Sequence, residues 1–129
     1  MDSDELSEVV VATLAFSRWA KDSLPISNSI MALNVLLGIY LAEQRRREPT
    51  TFKELCWDLR HSEQAIRTIV DRLYESGWVL LEQDSRSRRS ISRLRISPDR
   101  SAELRTGLQM LRDGIRAAAA PRSPKSERA

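Results

Sequence analysis

One cysteine, one histidine and four glycines are spread over 129 residues, and each scarcity closes a class of function. A single cysteine excludes an internal disulfide framework and any four-cysteine zinc site, and it fits a reducing cytoplasm. A lone histidine beside it disfavours both a zinc site and a cysteine–histidine catalytic pair. No nucleophile–base pair, metal-ligand cluster or phosphate-cradling loop is visible, so neither an enzyme nor a cofactor is expected. Apolar runs are short as well. The longest, Ile26 to Ala42, is interrupted by Asn28, Asn34 and Gly38 and falls below the ~20 residues a membrane span needs. The chain begins with Asp2, Asp4 and Glu5, where a signal peptide carries positive charge. No internal repeat is found. The expectation is a soluble, cytoplasmic protein without membrane contact.

What is present is charge, unevenly placed. The formal net charge is only +3, yet acidic residues dominate the first eight positions while Arg86, Arg88, Arg89, Arg93 and Arg95 crowd one short segment. A local basic feature matters more for nucleic-acid binding than the overall sum, although an arginine run is as often a solvated surface. The length suits one domain with a real core and is too short for two.

The organising stretch is 51–77, which reads as two helices joined by a tight turn. Thr51-Phe52-Lys53-Glu54 has capping-box spacing, a hydroxyl for the amide three residues on and a carboxylate reaching back. Leu55, Cys56 and Leu59 follow at helical intervals. Ser62 can cap a second helix, in which Ile66, Ile69, Val70 and Leu73 form an i, i+3, i+4, i+7 stripe directed at a core. Gly77 stands where a helix ends in a left-handed residue. Off the stripe lie Glu63, Gln64, Arg67, Thr68 and Asp71, mostly side chains that hydrogen-bond to base edges or phosphates.

Around this pair the pattern predicts a first helix over about 3–22, capped by Asp2 or Ser3, and a buried helix from Asn28 to Arg46 that is apolar almost all round. After Gly77, the run Trp78 to Leu81 leads into a polar segment, 84–90. Ile91 to Ile96 then alternates, with Leu94 and Ile96 on one face and Arg93 and Arg95 on the other. Two antiparallel strands joined by an arginine-rich loop, set behind a helix–turn–helix, make a winged helix with the wing over 78–97. Ser97-Pro98-Asp99 opens a last helix over about 98–119. Within it Leu104, Leu108, Leu111, Ile115 and Ala118 form a heptad seam, beside which Gly107 and Gly114 allow close backbone approach. A winged domain offers such a seam no obvious partner within the chain, so a homodimer is expected. The other reading is an amphipathic helix packed within its own chain. Residues 121–129 lack apolar side chains and are expected to be a disordered tail after a single domain over 1–120.

In this order of elements the chain resembles the MarR family of bacterial transcription regulators. The resemblance is carried by Leu55, Ser62, the run Ile69-Val70-Asp71-Arg72-Leu73, Gly77 and the basic wing, and it extends by order and length to the flanking helices. It implies a mainly α (α+β) fold, a winged helix–turn–helix flanked by N- and C-terminal dimerisation helices. It also implies a homodimeric regulator, a repressor by analogy, with a small-molecule effector as a further partner. There are departures. Arg60 and His61 replace the small and apolar residues usual in the turn, and the chain is short for the family. Asp84 and Arg86 have the spacing of the family's wing element but precede its usual place, where Ser87 stands instead of aspartate.

For the DNA complex, Gln64, Arg67 and Thr68 are the base-reading candidates and Glu63 can accept from a cytosine amine. Glu63 is equally a helix-start acid. Ser62 and Arg72 suit phosphates, with a structural salt bridge near the wing as the alternative for Asp71 and Arg72. Arg86, Arg88 and Arg89 are placed to reach the flanking minor groove or backbone. Two units related by a twofold axis read half-sites one turn apart, about 34 Å, on a pseudo-palindromic operator. Cys56 is either a thiol sensor or, as its apolar neighbours favour, a small buried residue. His61 is either a switch or a turn residue half-covering the core. Trp19, Trp57, Trp78 and Tyr40 are either core or the walls of an effector cavity. The competing function is a winged-helix module that binds a protein partner without reading DNA, which Glu63 and Asp71 on the presumed DNA face keep open.

Overall fold

The computed structural model describes residues 2–24, 26–45, 48–84 and 91–120. Five helices and three short strands follow one another as α1 (Ser3–Ser23), α2 (Ser29–Arg45), β1 (Thr50–Thr51), α3 (Phe52–Leu59), α4 (Glu63–Glu75), β2 (Val79–Asp84), β3 (Ile91–Ile96) and α5 (Pro98–Ala119). The strands form one antiparallel sheet in the order β1-β3-β2. The expected tail, 121–129, lies outside the described residues.

Local chemistry explains most of the boundaries. Asp2, rather than Ser3, caps α1 by accepting the Glu5 amide at 2.8 Å. Asn28 does the same for α2 through the Met31 amide at 3.3 Å, so the helix starts one residue later than the apolar pattern suggested. At the head of α5, Ser97 occupies the cap position but makes no side-chain capping bond. It is buried, its amide donates to the Trp78 carbonyl at 2.9 Å, and Pro98 supplies the helix start with a preset φ. Strand β1 was not visible in the sequence. Two threonines are too few to show a period, and they are extended because Thr50 and Thr51 pair with Leu94 and Arg93 of β3.

The core sits around α2, where Ala32, Leu33, Val35, Leu36 and Ile39 are buried and meet α1, α3, α4 and the sheet. The helix is not apolar-buried all round, however. Ile30 is 70% exposed and Leu41 47%, so it has a wet side. Trp78 is fully buried beneath the Arg100 guanidinium, 5.3 Å from the ring centroid. Glu43 reaches from α2 to accept the Ile96 amide at 2.9 Å, tying the central helix to β3.

The seam of α5 has a partner after all, within its own chain. Helix α5 packs against α1. A Cβ at Gly107 would lie 2.7 Å from the Trp19 ring, and one at Gly114 would lie 2.7 Å from the Ala12 Cβ. The two glycines therefore permit the close approach of α1. This is the intrachain reading of the seam; the sequence does not name α1 as the partner, because α1 and α5 are the first and last helices and nothing local couples them. Leu104 and Ala118 are buried by the packing, whereas Ile115 remains exposed. Among the described residues no helix is long and apolar enough to cross a membrane.

Candidate nucleic-acid interface

The helix–turn–helix is built by two caps and one left-handed residue. The Thr51 hydroxyl accepts the Glu54 amide at 3.2 Å and contacts the Glu54 carboxylate at 3.2 Å. At the other end of α3, Arg60 takes φ 57°, ψ 42°, a conformation that costs a non-glycine residue about 1 kcal/mol or more. The sharp reversal places the Ser62 hydroxyl to accept the Ala65 amide at 3.2 Å and start α4. Helix α4 ends at Glu75 with Ser76 as its C-cap, and Gly77 after it, with φ +81°, lets the Trp78 amide return to the Leu73 carbonyl at 2.9 Å.

Ile66, Ile69, Val70 and Leu73 are buried, which turns the other half of α4 outward. Ser62, Glu63, Gln64, Arg67, Thr68 and Arg72 are all exposed, so six of the nine expected contact residues share one solvent-facing surface. They are not all idle there. The Arg67 guanidinium pairs with Glu63 at 2.9 Å and lies over the Phe52 ring, 4.6 Å from its centroid. The Thr68 hydroxyl donates to the Gln64 carbonyl at 2.9 Å, while its oxygen can still accept. Asp71 and Arg72 form no ion pair with each other among the described residues. Phe52 as the rest for Arg67 was not foreseen; the contact joins two helices, and no local spacing signals it.

The hairpin behind α4 has the expected form, with Val79 opposite Ile96 and Asp84 opposite Ile91. Its tip, with Arg86, Arg88 and Arg89, lies outside the described residues. At the base, two arginines of the basic segment are engaged structurally. Arg93 donates to the Pro49 carbonyl at 2.8 Å, and Arg95 pairs with Glu82 at 3.0 Å.

Other sequence expectations come out differently. His61 is exposed rather than half-covering the core. Cys56 is half-buried; burial first, then the Glu63 carboxylate, push its thiol above the ordinary value, so it is protonated and weakly reactive at neutral pH. The four aromatics do not line one cavity. Trp19 stacks on Phe16 at 5.6 Å between centroids, Trp78 is core, and Trp57 is 85% exposed. Tyr40 borders a shallow concavity of about 370 Å³ with Arg105, Leu108, Gln109 and Arg112.

No protein-family model matches the chain, and no curated protein matches it in sequence. Solved structures do match in shape. A point mutant of Staphylococcus aureus MepR bound to an oligodeoxyribonucleotide superposes with a TM-score of 0.72 at 9% identity, over 99% of this chain and 89% of that one. MepR itself, a transcription regulator of the multidrug efflux pump MepA in the same organism, gives 0.67 at 6% identity over 99% and 90%. A cysteine-to-serine mutant of Escherichia coli MarR complexed with operator DNA gives 0.59 at 18% identity over 93% and 83%. The fold is the winged helix of MarR-type regulators, five helices and a small three-stranded sheet.

Proposed function

We propose that the protein is a sequence-specific, double-stranded-DNA-binding transcriptional regulator that acts as a homodimeric repressor on a pseudo-palindromic operator. The observation that carries this reading is the outer half of α4. Ser62, Glu63, Gln64, Arg67, Thr68 and Arg72 project together from a helix held rigidly by four buried residues. A helix of this kind fits the major groove, where Gln64 pairs with adenine, Arg67 with guanine and a released Glu63 with a cytosine amine. Ser62 and Arg72 hold phosphates, and the wing arginines Arg86, Arg88 and Arg89 neutralise the flanking backbone. To read a base, Arg67 leaves Glu63 and Phe52. An exposed helical ion pair is worth about 0.3–0.5 kcal/mol and an exposed cation–π contact about 0.5–1 kcal/mol. A bidentate arginine–guanine pair contributes about 1–3 kcal/mol of discrimination, enough to draw the side chain across.

Dimerisation is supported by the outward face of α1. Leu6, Val10, Val11 and Leu14 are each more than half exposed, and Met110 and Ile115 of α5 are exposed as well. Such a set of apolar side chains on two helices suits a second copy of the chain. A monomer by light scattering at micromolar concentration would overturn it.

The alternative is a protein-binding winged helix, favoured by Glu63 and Asp71, whose charges oppose phosphate on the same face. The substitutions Arg67→Ala and Arg88→Ala/Arg89→Ala separate the two. On the DNA reading the first relaxes sequence preference, while the second weakens all duplexes alike and lowers the salt slope by about two. If neither alters DNA retention, the DNA reading fails.

A further inference from the structure

Trp57 is the largest exposed apolar side chain of the described residues, and its setting is specific. It projects from the side of α3 opposite the buried Leu55. Lys53 lies one turn before it, and Arg60, the left-handed residue that follows the helix, stands close by. With Cys56, Arg60 and His61 it borders a shallow concavity of about 480 Å³. The apolar side chains suited to a second copy of the chain lie on α1 and α5 instead.

This surface is continuous with the outer half of α4. Phe52, which precedes Lys53, carries the Arg67 guanidinium. Arg60 and His61 directly precede Ser62, the cap from which α4 starts. When the first turn of a recognition helix enters a groove, residues leading into it face the sugar–phosphate wall of that groove. Two acids share the surface: Glu54, whose carboxylate is hydrogen-bonded by the Thr51 hydroxyl, and Asp58. Lys53 and Arg60 balance these two carboxylates and are the cations beside the indole that can meet a phosphate. An indole gives such a wall a flat apolar face for the deoxyribose and one N–H donor for a phosphate oxygen, and it has no acceptor to repel the phosphate.

Resting on the DNA reading above, we infer that the outward surface of α3 and the turn after it (Lys53, Trp57 and Arg60, with His61) is a second DNA-contact surface. On it the Trp57 ring lies against the phosphodiester backbone beside the groove, and its N–H donates to a phosphate. The contact is independent of base sequence. It adds affinity, and it fixes how deeply α4 sits.

Labelling the protein with 5-fluorotryptophan gives one fluorine resonance for each of its three tryptophans, and the one lost in Trp57→Phe is Trp57. The probe is a duplex of arbitrary sequence, about 30 base pairs long, at about 50 mM salt, where phosphate attraction alone holds a complex. Binding is followed separately by anisotropy of the labelled duplex. The resonance of Trp57 is expected to lose its solvent isotope shift on saturation. Trp57→Phe, which keeps a ring but no donor, is expected to weaken every duplex about tenfold, the scale of a hydrogen bond to a charged group. Its salt slope should not change, whereas Lys53→Ala should lower the slope by about one. Since Trp57 is exposed, neither variant threatens folding. A duplex that binds while the Trp57 resonance keeps its full isotope shift overturns the inference and leaves the DNA reading standing. A duplex that does not bind at all overturns both.

Discussion

Substituting Gly107 by alanine should destabilise the protein, although alanine is the better helix former. The gain in propensity is about 1 kcal/mol. Against it, the new methyl would stand 2.7 Å from three ring carbons of Trp19, where ordinary contact begins at 3.4 Å. The indole is rigid and stacked 5° from parallel on Phe16, so either the ring moves off Phe16 or α5 withdraws from α1. Overpacking of this kind costs about 1–3 kcal/mol, leaving a net loss of about 1 kcal/mol. Replacing Trp19 by leucine removes the rigid ring, and its flexible end can give way. In that background Gly107→Ala should recover the propensity gain and stabilise by up to about 1 kcal/mol. The sign of the glycine substitution thus inverts, a coupling of about 2 kcal/mol, within the range found for residues in contact. Urea denaturation of the four proteins at one fixed protein concentration measures it. With a slope of about 2 kcal/mol/M, each step moves the midpoint by roughly 0.5 M. If Gly107→Ala stabilises both backgrounds equally, α1 and α5 do not pack through these glycines and the frame described above is wrong.

Arg60→Gly should stabilise the turn by about 0.5–1 kcal/mol, the left-handed penalty less the entropy of a freer unfolded chain; unchanged thermal unfolding would mean that Arg60 is not held at positive φ. Burial raises the Glu43 carboxyl above its usual 4.5, outweighing the Ile96 amide and the charge of Arg95. The folded state therefore binds this proton more tightly than the unfolded one, so its contribution is full at acid pH and is lost as pH rises from 4.5 through the folded value. Relative to Glu43→Gln, whose amide oxygen can still accept from Ile96, the wild type should lose stability over that rise. A difference independent of pH from 4 to 8, measured by denaturation, would contradict it. The substitutions Arg67→Ala, Arg88→Ala/Arg89→Ala and Trp57→Phe carry the functional predictions already described.

The parts legible in the sequence were those governed by local chemistry. The capping box at Thr51, the cap at Ser62, the apolar stripe of α4 and Gly77 each act within one or two turns, and together they define the helix–turn–helix and its outward residues. The alternation from Ile91 to Ile96 likewise gave β3 and its two faces. What stayed hidden depends on distant chain segments meeting. The pairing of Thr50 with Leu94, the bond from Glu43 to Ile96, the rest of Arg67 on Phe52 and the packing of Trp19 on Gly107 have no signature in spacing. The aromatic residues were the most misleading. Similar side chains at Trp19, Trp57 and Trp78 end up in a helix interface, in solvent and in the core, because burial is decided by the neighbouring elements and not by residue type.

The most direct test of the central claim is selection of bound fragments from a pool of random double-stranded DNA at about 150 mM salt, where non-specific attraction is weak. The account predicts recovery of a sequence with two inverted half-sites centred one helical turn apart. Recovery of nothing above background by a folded protein would contradict it, and would point to a winged helix that meets a protein partner instead.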